Sequence, residues 1–201
     1  MARGRAANYD DQREMILAHA AALFAQQGYP ATSMNAVALA CGLSKATLYH
    51  YYRDKYALLV SIADGHVGKL HALVQDVLAA GLPPEQRLRT LIRRILLEYA
   101  GARDAHRVLS EDVRFLTDRD RARILDQERA VVQGFAQAVA GLRPELQAAA
   151  LATPMTMLLF GMINWMFTWV QPGGALDHDT LAPMVADLFL GGLPAVRPRS
   201  G

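Results

Sequence analysis

The chain has 201 residues, enough for one large domain or two small ones, and 52% of them are hydrophobic, which excludes a disordered protein. The formal net charge is only +2, so any nucleic-acid partner must be recognised by a local site rather than by overall charge. The single cysteine, Cys41, excludes a framework of internal disulfides and fits a reducing cytoplasm.

Helical periodicity runs through nearly the whole chain, and the alternation typical of strands is absent. We therefore expect an all-α fold of about nine helices without internal repeats. Glycines, prolines and side chains that cap helices set the expected bounds. The predicted helices cover residues 9–27, 33–40, 44–51, 54–80, 84–101, 105–116, 117–141, 144–170 and 177–190.

The expected helix ends depend on two kinds of residue. Left-handed glycines are predicted to end helices or make turns at Gly28, Gly42 and Gly81. Side-chain oxygens are predicted to cap helix N-termini at Thr32 or Ser33, Ser44, Asp54, Thr117 and Asp177. A sharp break is expected at 171–174.

Residues 151–170 contain no charged side chain and are long enough to cross a bilayer. Pro154, Asn164 and several threonines interrupt the apolar run, and basic residues flank neither end. We favour a helix buried on one side in its own subunit and on another side in a partner subunit. A membrane-anchored helical protein is the alternative.

Residues 33–59 carry the most informative motif, two short helices joined by a tight glycine turn. The second short helix should turn Leu48 inward and present Lys45, Ala46, Thr47, Tyr49 and His50 outward. These side chains suit phosphate oxygens and base edges in a DNA groove. The alternatives are a helical hairpin without DNA and, for His50, simple packing between helices.

The motif resembles the tetracycline-repressor (TetR) family of transcriptional regulators. The resemblance rests on CGLSKATLYHYY at 41–52 and DKYALL at 54–59, with shorter matches at 28–29, 31–34 and 37–38. The sequence departs from the family at Cys41, Ala46 and Tyr56, where alanine, glycine and glutamate are common.

This resemblance implies a double-stranded DNA operator with inverted half-sites as one partner and a second copy of the chain as another. The last two helices would form the homodimer. The implied DNA-contacting residues are Thr32, Ser33, Lys45, Thr47, Tyr49, His50 and Lys55. Arg3 and Arg5 would reach a minor groove or, alternatively, form a solvated end. We expect a DNA-binding domain at 1–54, a ligand-binding and dimerisation domain at 55–193, and a flexible tail at 194–201.

A small-molecule inducer is the third implied partner. Candidate ligand-binding residues are Tyr99, Phe115, Met155, Phe160, Asn164, Trp165 and Thr168, with core or interface packing as the alternative for each. Residues 111–116, 160–172 and 187–193 resemble relatives that respond to acyl-coenzyme A thioesters. Thioester phosphates need cations, and the arginines at 103, 107, 114, 119, 121 and 123 could supply them or form surface ion pairs. A regulator of efflux genes that senses hydrophobic drugs is the alternative.

Catalytic signatures are absent from the sequence. Asp177, His178 and Asp179 are consecutive and point in different directions, so they make a poor metal cage. We therefore expect a cytoplasmic regulator that is not an enzyme and needs no metal or cofactor.

Overall fold

The computed structural model describes residues 2–170 and 176–197, and the side chains of 9–166, 168–170 and 176–197. Every regular element in these ranges is helical, which confirms the predicted all-α class. The α-helices are α1 (Ala2–Gln27), α2 (Met34–Ala40), α3 (Lys45–Tyr51), α4 (Lys55–Ala79), α5 (Pro84–Gly101), α6 (Arg103–Glu111), α7 (Asp118–Leu142), α8 (Pro144–Ala148), α9 (Ala152–Trp169) and α10 (His178–Gly192). Short 3-10 turns cover Val113–Phe115 and Leu193–Ala195.

Helix ends follow the predicted local chemistry. Gly28, Gly42 and Gly81 all have positive φ angles, of 85°, 64° and 66°. This backbone conformation is unfavourable for residues with a Cβ, so glycine is the residue that suits these turns. Capping oxygens accept a hydrogen bond from the N–H three residues later at Ser33, Ser44, Asp54, Thr117 and Asp177, with distances of 3.1, 3.0, 2.7, 3.3 and 2.8 Å. These ends are therefore determined locally.

The prediction of one continuous helix at 144–170 is wrong, because the helix is interrupted between α8 and α9. Ala150 adopts a left-handed φ of 56°, and the N–H of Leu151 donates to the carbonyl of Leu146 at 2.7 Å. This is a Schellman-type ending, which usually has glycine at the left-handed position. The described chain therefore has ten α-helices rather than nine, and α1 begins at Ala2 rather than at residue 9.

The chain folds into two compact units. The first contains the described residues up to Val67 together with Ala102–Leu125. The second contains Gly68–Gly101 and the described residues from Asp126 onward. In the structure, residues 102–125 thus belong to the same unit as the N-terminal helices. The boundary predicted from the sequence, between a DNA-binding and a ligand-binding domain, lies after residue 54.

The first unit has a core shared by α1, α2, α3, α6 and the first parts of α4 and α7. Its fully buried side chains include Ile16, Val37, Leu48, Leu58, Leu59 and Ile124. α1 packs extensively on α6, so a segment distant in sequence supports the N-terminal helices. Burial of such side chains stabilises a fold by about 1.5–3 kcal/mol each.

The second unit is built around α5, which packs along α10. Its fully buried side chains include Leu88, Leu91, Ile92, Ile95, Phe135 and Leu159. Gly134 of α7 lies so close to α4 that a Cβ there would overlap Cγ1 of Val74. The guanidinium of Arg143 donates to the carbonyls of Leu193 and Val196 at 2.6 and 3.3 Å, which anchors a segment predicted to begin the flexible tail.

Three predictions lie outside the described residues, namely the break at 171–174, the tail from 198 onward and the side chains of Arg3 and Arg5. Among the described helices, α4 has the length and apolar composition that crossing a membrane requires. Half of that stretch is buried inside the protein, as in the core helix of a globular domain.

Candidate nucleic-acid interface

The turn between α2 and α3 has the local geometry that the motif predicts. Gly42 makes the turn, and the N–H of Leu43 donates to the carbonyl of Ala38 at 2.9 Å. Ala38 and Leu48 are buried, while Cys41 is half-buried against the same core. Burial raises the pKa of the Cys41 thiol, which disfavours the reactive thiolate form. The two short helices are thereby fixed as a pair.

The outer side of α3 is exposed along its length. We call Lys45, Ala46, Thr47, Tyr49 and His50 the exposed face of α3, because all five are exposed whereas Leu48 between them has no exposed surface. The Lys45 ammonium lies 5.9 Å from the centroid of the Tyr49 ring, and the Thr47 hydroxyl lies 2.8 Å from that of Ser44. An ammonium, hydroxyls and an imidazole thus share one side of one helix.

Thr32, predicted as a phosphate contact, has a different role. Its side chain is only 2% exposed, and its hydroxyl donates to the carbonyl of Gly28 at 3.0 Å. The backbone N–H of Thr32 donates to the same carbonyl, so both donors stabilise the turn after α1. Ser33, also predicted, is exposed and caps α2. We therefore correct the predicted set by removing Thr32.

Lys55, also predicted to contact phosphate, is engaged inside the protein. Its ammonium donates to the carbonyls of Tyr29 and Pro30 at 2.7 and 3.1 Å and lies 4.4 Å from the Tyr29 ring centroid. These carbonyls follow the C-terminal end of α1, where a positive charge is favourable. The structure therefore gives Lys55 a stabilising role that the sequence pattern does not indicate.

Two residues of α1 contact the end of α3 and were missed from the sequence. Tyr9 stacks on Tyr51, with ring centroids 4.8 Å apart. The Nε of Arg13 donates to the hydroxyl of Tyr52 at 3.4 Å, and this contact raises the pKa of the guanidinium. Tyr9 and Arg13 are four residues apart and so lie on one face of α1. That spacing, beside an aromatic run at 49–52, is the signal that could have identified them.

The predicted ligand-binding residues differ in their burial. Tyr99 and Phe160 lie in the core of the second unit, where Phe160 packs on Phe135 at 4.9 Å and Met155 contacts the same core. Burial, reinforced by the charge of Glu128, raises the pKa of Tyr99. Phe115 instead belongs to the first unit. By contrast, Asn164, Trp165 and Thr168 are exposed. The grouping of these seven residues into one ligand-binding pocket stays a prediction.

The six candidate arginines for a thioester lie in the first unit, and three of them form ion pairs there. Arg107 pairs with Glu111, and Arg121 pairs with Asp118, both at 3.1 Å. Arg123 bonds to Asp64. These three arginines therefore form ion pairs at the protein surface, which was the alternative to a role in phosphate binding.

The second unit exposes a set of large apolar side chains on α9 and α10, which pack against each other. We call this set the α9–α10 apolar face. Its members are Met157, Leu158, Trp165, Trp169, Met184 and Leu188, and their exposed fractions range from 48% to 70%. Asn164 and Thr168 are four residues apart, so they lie on one side of α9, and both are also exposed. A patch of this kind is typical of an interaction surface.

Metal-binding groups are not assembled in the described part of the chain, where no three His, Cys, Asp or Glu side chains cluster. Asp177, weighed above as a ligand, caps α10 through the N–H of Thr180.

Comparison with known proteins adds independent information. The family model described as "Bacterial regulatory proteins, tetR family" matches residues 16–62, and that described as "Tetracyclin repressor-like, C-terminal domain" matches residues 81–193. The HTH-type transcriptional repressor KstR2 of Rhodococcus jostii (strain RHA1) is 24% identical over 185 residues, covering 90% of this chain and 91% of that protein.

Two solved structures are also similar. A TetR-family transcriptional regulator from Bordetella parapertussis 12822 aligns with a TM-score of 0.84 and 36% identity, covering 93% of this chain and 98% of that one. AibR, solved in complex with isovaleryl coenzyme A and operator DNA, aligns with a TM-score of 0.74 and 26% identity, covering 88% and 97%. Since the matched C-terminal region alone exceeds half of the chain, this protein belongs to the TetR family of bacterial transcriptional regulators.

Proposed function

We propose that the protein is a cytoplasmic, homodimeric repressor that binds an operator of two inverted half-sites and is released by a small hydrophobic or acyl-CoA-type ligand. The exposed face of α3 is the observation that carries this proposal. This face places hydrogen-bond donors on a short helix. Leu48 packs the inner side of that helix into the core, and Ser44 caps its N-terminus. The proposed DNA contacts are Ser33, Lys45, Thr47, Tyr49 and His50.

The α9–α10 apolar face supports the homodimer. Trp165 and Leu188 are 68% and 70% exposed, which leaves large apolar surfaces in water unless a partner covers them. A second copy would cover the face of one subunit with the same face of the other, as twofold symmetry requires. The symmetric pair would place two α3 helices against two half-sites about one DNA turn apart.

The acyl-CoA part of the proposal draws on a relative. AibR is 26% identical to this chain and has been solved with isovaleryl coenzyme A and operator DNA. A ligand releases DNA only if it binds the DNA-free state more tightly than the DNA-bound state. Thermal-shift measurements with acyl-CoA thioesters, free acids and hydrophobic drugs compare the ligand classes, because a ligand that binds the folded state raises the melting temperature.

Selection of DNA from a random pool tests the DNA-binding part. The wild type should enrich an inverted repeat, and Lys45→Ala and Tyr49→Ala should each weaken binding to it by about tenfold or more. Lys69→Ala is the matched control, because Lys69 is an exposed lysine of α4 in the second unit. Enrichment of no sequence, or equal binding by Lys45→Ala, contradicts the assignment of α3 as the reading helix.

A further inference from the structure

Three aromatic rings meet where α1 passes the end of α3. Tyr9 stacks on Tyr51 with centroids 4.8 Å apart and an interplanar angle of 29°. The His50 imidazole makes edge contacts with both, at 6.4 Å from Tyr9 and 5.5 Å from Tyr51. His50 therefore contacts two rings, one on its own helix and one on α1, and both restrict how its ring can turn.

The surface position of this cluster shows what it contributes. Tyr9 is 38% exposed and His50 is exposed, so both rings lie at the protein surface, whereas Tyr51 packs partly against the core. The core beneath them, which includes Ile16 and Leu48 with no exposed surface, already joins α1 and α3. Because this core joins the two helices without Tyr9 or His50, the contact of the Tyr9 ring with His50 bears mainly on the orientation of the imidazole.

Orientation matters for a side chain that reads DNA. An exposed histidine samples several rotamers, and ordering it on binding costs free energy. An imidazole held beforehand against two rings avoids part of that cost, because aromatic pairs in edge-to-face contact attract each other. His50 lies on the exposed face of α3 beside Tyr49, so a restricted ring there presents its nitrogens in a defined direction.

We infer that Tyr9 is a positioning residue for operator recognition, whose ring, stacked on Tyr51, holds the His50 imidazole in the orientation used in the DNA groove. The inference rests on the proposed function of α3. It assigns a part in sequence reading to a residue of α1 outside the helix-turn-helix motif.

The test uses the full-length protein and the operator enriched by the wild type. Tyr9→Ala should weaken operator binding in fluorescence anisotropy by about three- to tenfold, the change expected for one aromatic pair. Binding to a scrambled duplex at the same salt concentration should change less than about twofold, because phosphate contacts remain. Tyr9→Phe keeps the ring and should bind like the wild type.

A double-mutant cycle separates positioning from a general loss of structure. In the His50→Ala background, Tyr9→Ala should have no further effect, because the residue that it orients is gone. Tyr9→Ala and His50→Ala should also relax preference at the same base pairs of the half-site. Additive losses, or wild-type affinity for Tyr9→Ala, overturn the inference while leaving α3 as the reading helix. Enrichment of no operator by the wild type defeats the proposed function and the inference together.

Nuclear magnetic resonance of the free protein gives a readout that does not depend on DNA. Replacing Tyr9 by alanine should shift the ring-proton resonances of His50 through loss of the neighbouring ring, whereas Tyr9→Phe should leave them in place. Unchanged His50 resonances in Tyr9→Ala contradict the inference even if that variant binds DNA poorly. Folded Tyr9→Ala protein is recognised in the same spectra by unchanged resonances of core methyl groups.

Discussion

The Tyr56 hydroxyl donates a 2.6 Å hydrogen bond to Oδ2 of Asp120. The same hydroxyl accepts a 3.0 Å hydrogen bond from the backbone N–H of Thr117. Tyr56 thereby links the first turn of α4 to the first turn of α7 within the first unit. Many family members have glutamate at this position, and a glutamate could not donate to Asp120 when ionised.

Tyr56→Phe should therefore destabilise the first unit. The loss of a hydrogen bond to a carboxylate costs about 1–2 kcal/mol, which urea denaturation measures directly. The control is the same substitution in an Asp120→Ala background, where most of the loss should disappear. An equal loss in both backgrounds contradicts the link.

The pH dependence of this link has a defined sign. The Tyr56 hydrogen bond, followed by that from Thr117, holds the pKa of Asp120 below its ordinary value of 3.8. A carboxylate with a lowered folded-state pKa stabilises the fold above its unfolded pKa and loses that effect as the pH falls through the folded value. The stability difference between wild type and Tyr56→Phe should thus be full at pH 7 and shrink below pH 4.

His106 should make stability sensitive to mild acid. It is 5% exposed, its Nδ1 lies 3.3 Å from Nε2 of His66, and burial lowers its pKa to about 4 from 6.5. Between these values the unfolded chain binds a proton that the folded chain does not, so stability is full above pH 6.5 and falls toward pH 4. From pH 7.5 to 5 this histidine should cost about 2 kcal/mol.

Denaturation of wild type and His106→Leu at the two pH values checks this expectation. The variant should be less sensitive to acid than the wild type, even if it is less stable at pH 7.5. If both proteins lose the same stability between pH 7.5 and 5, groups other than His106 determine the pH dependence and the prediction is contradicted.

Gly134 should be intolerant of a methyl group. Gly134→Ala places a Cβ against Val74 and 3.4 Å from Cδ1 of Leu78, and such overpacking costs about 1–3 kcal/mol. Gly141→Ala in the same helix meets nothing within 4 Å and should be neutral or stabilising by up to about 1 kcal/mol. Chemical denaturation of the pair is informative, because the change is identical and only the surroundings differ.

Lys55→Met should reduce stability rather than salt dependence. The methionine keeps an unbranched stem but removes the ammonium from the Tyr29 and Pro30 carbonyls, at a cost of about 1–3 kcal/mol. The salt dependence of DNA binding should stay at its wild-type slope, whereas loss of a phosphate contact would lower that slope by about one. A lower slope with unchanged stability would restore the role in phosphate binding that the family resemblance implies.

The α9–α10 apolar face should determine the oligomeric state. Trp165→Glu and Leu188→Glu each place a charge where the proposed dimer excludes water, and sedimentation velocity at micromolar concentration should show a shift from dimer to monomer. Operator affinity should fall in parallel, because one subunit contacts one half-site. Gln133→Glu, at an exposed site on α7, is the charge-matched control. Dimers that persist in both variants contradict the proposed interface.

The sequence by itself determined the helix-turn-helix motif and those helix ends that a capping side chain or a left-handed glycine makes, because these depend on neighbouring residues. A capping oxygen bonds three residues away, and a left-handed glycine turns the chain at its own position, as at Ser44 and Gly42. Periodicity likewise separates Leu48 from the exposed residues around it. The break at Ala150 escaped prediction because alanine there carries no turn signal.

Only the tertiary structure decided which polar groups are already engaged and which side chains are covered. Lys55 meets carbonyls more than twenty residues away in sequence. Periodicity places Trp165 on a face of α9 but does not show which element, if any, packs on that face. The stacking of Tyr9 on Tyr51 has the same origin. Such contacts depend on how distant segments pack together, which local spacing does not encode.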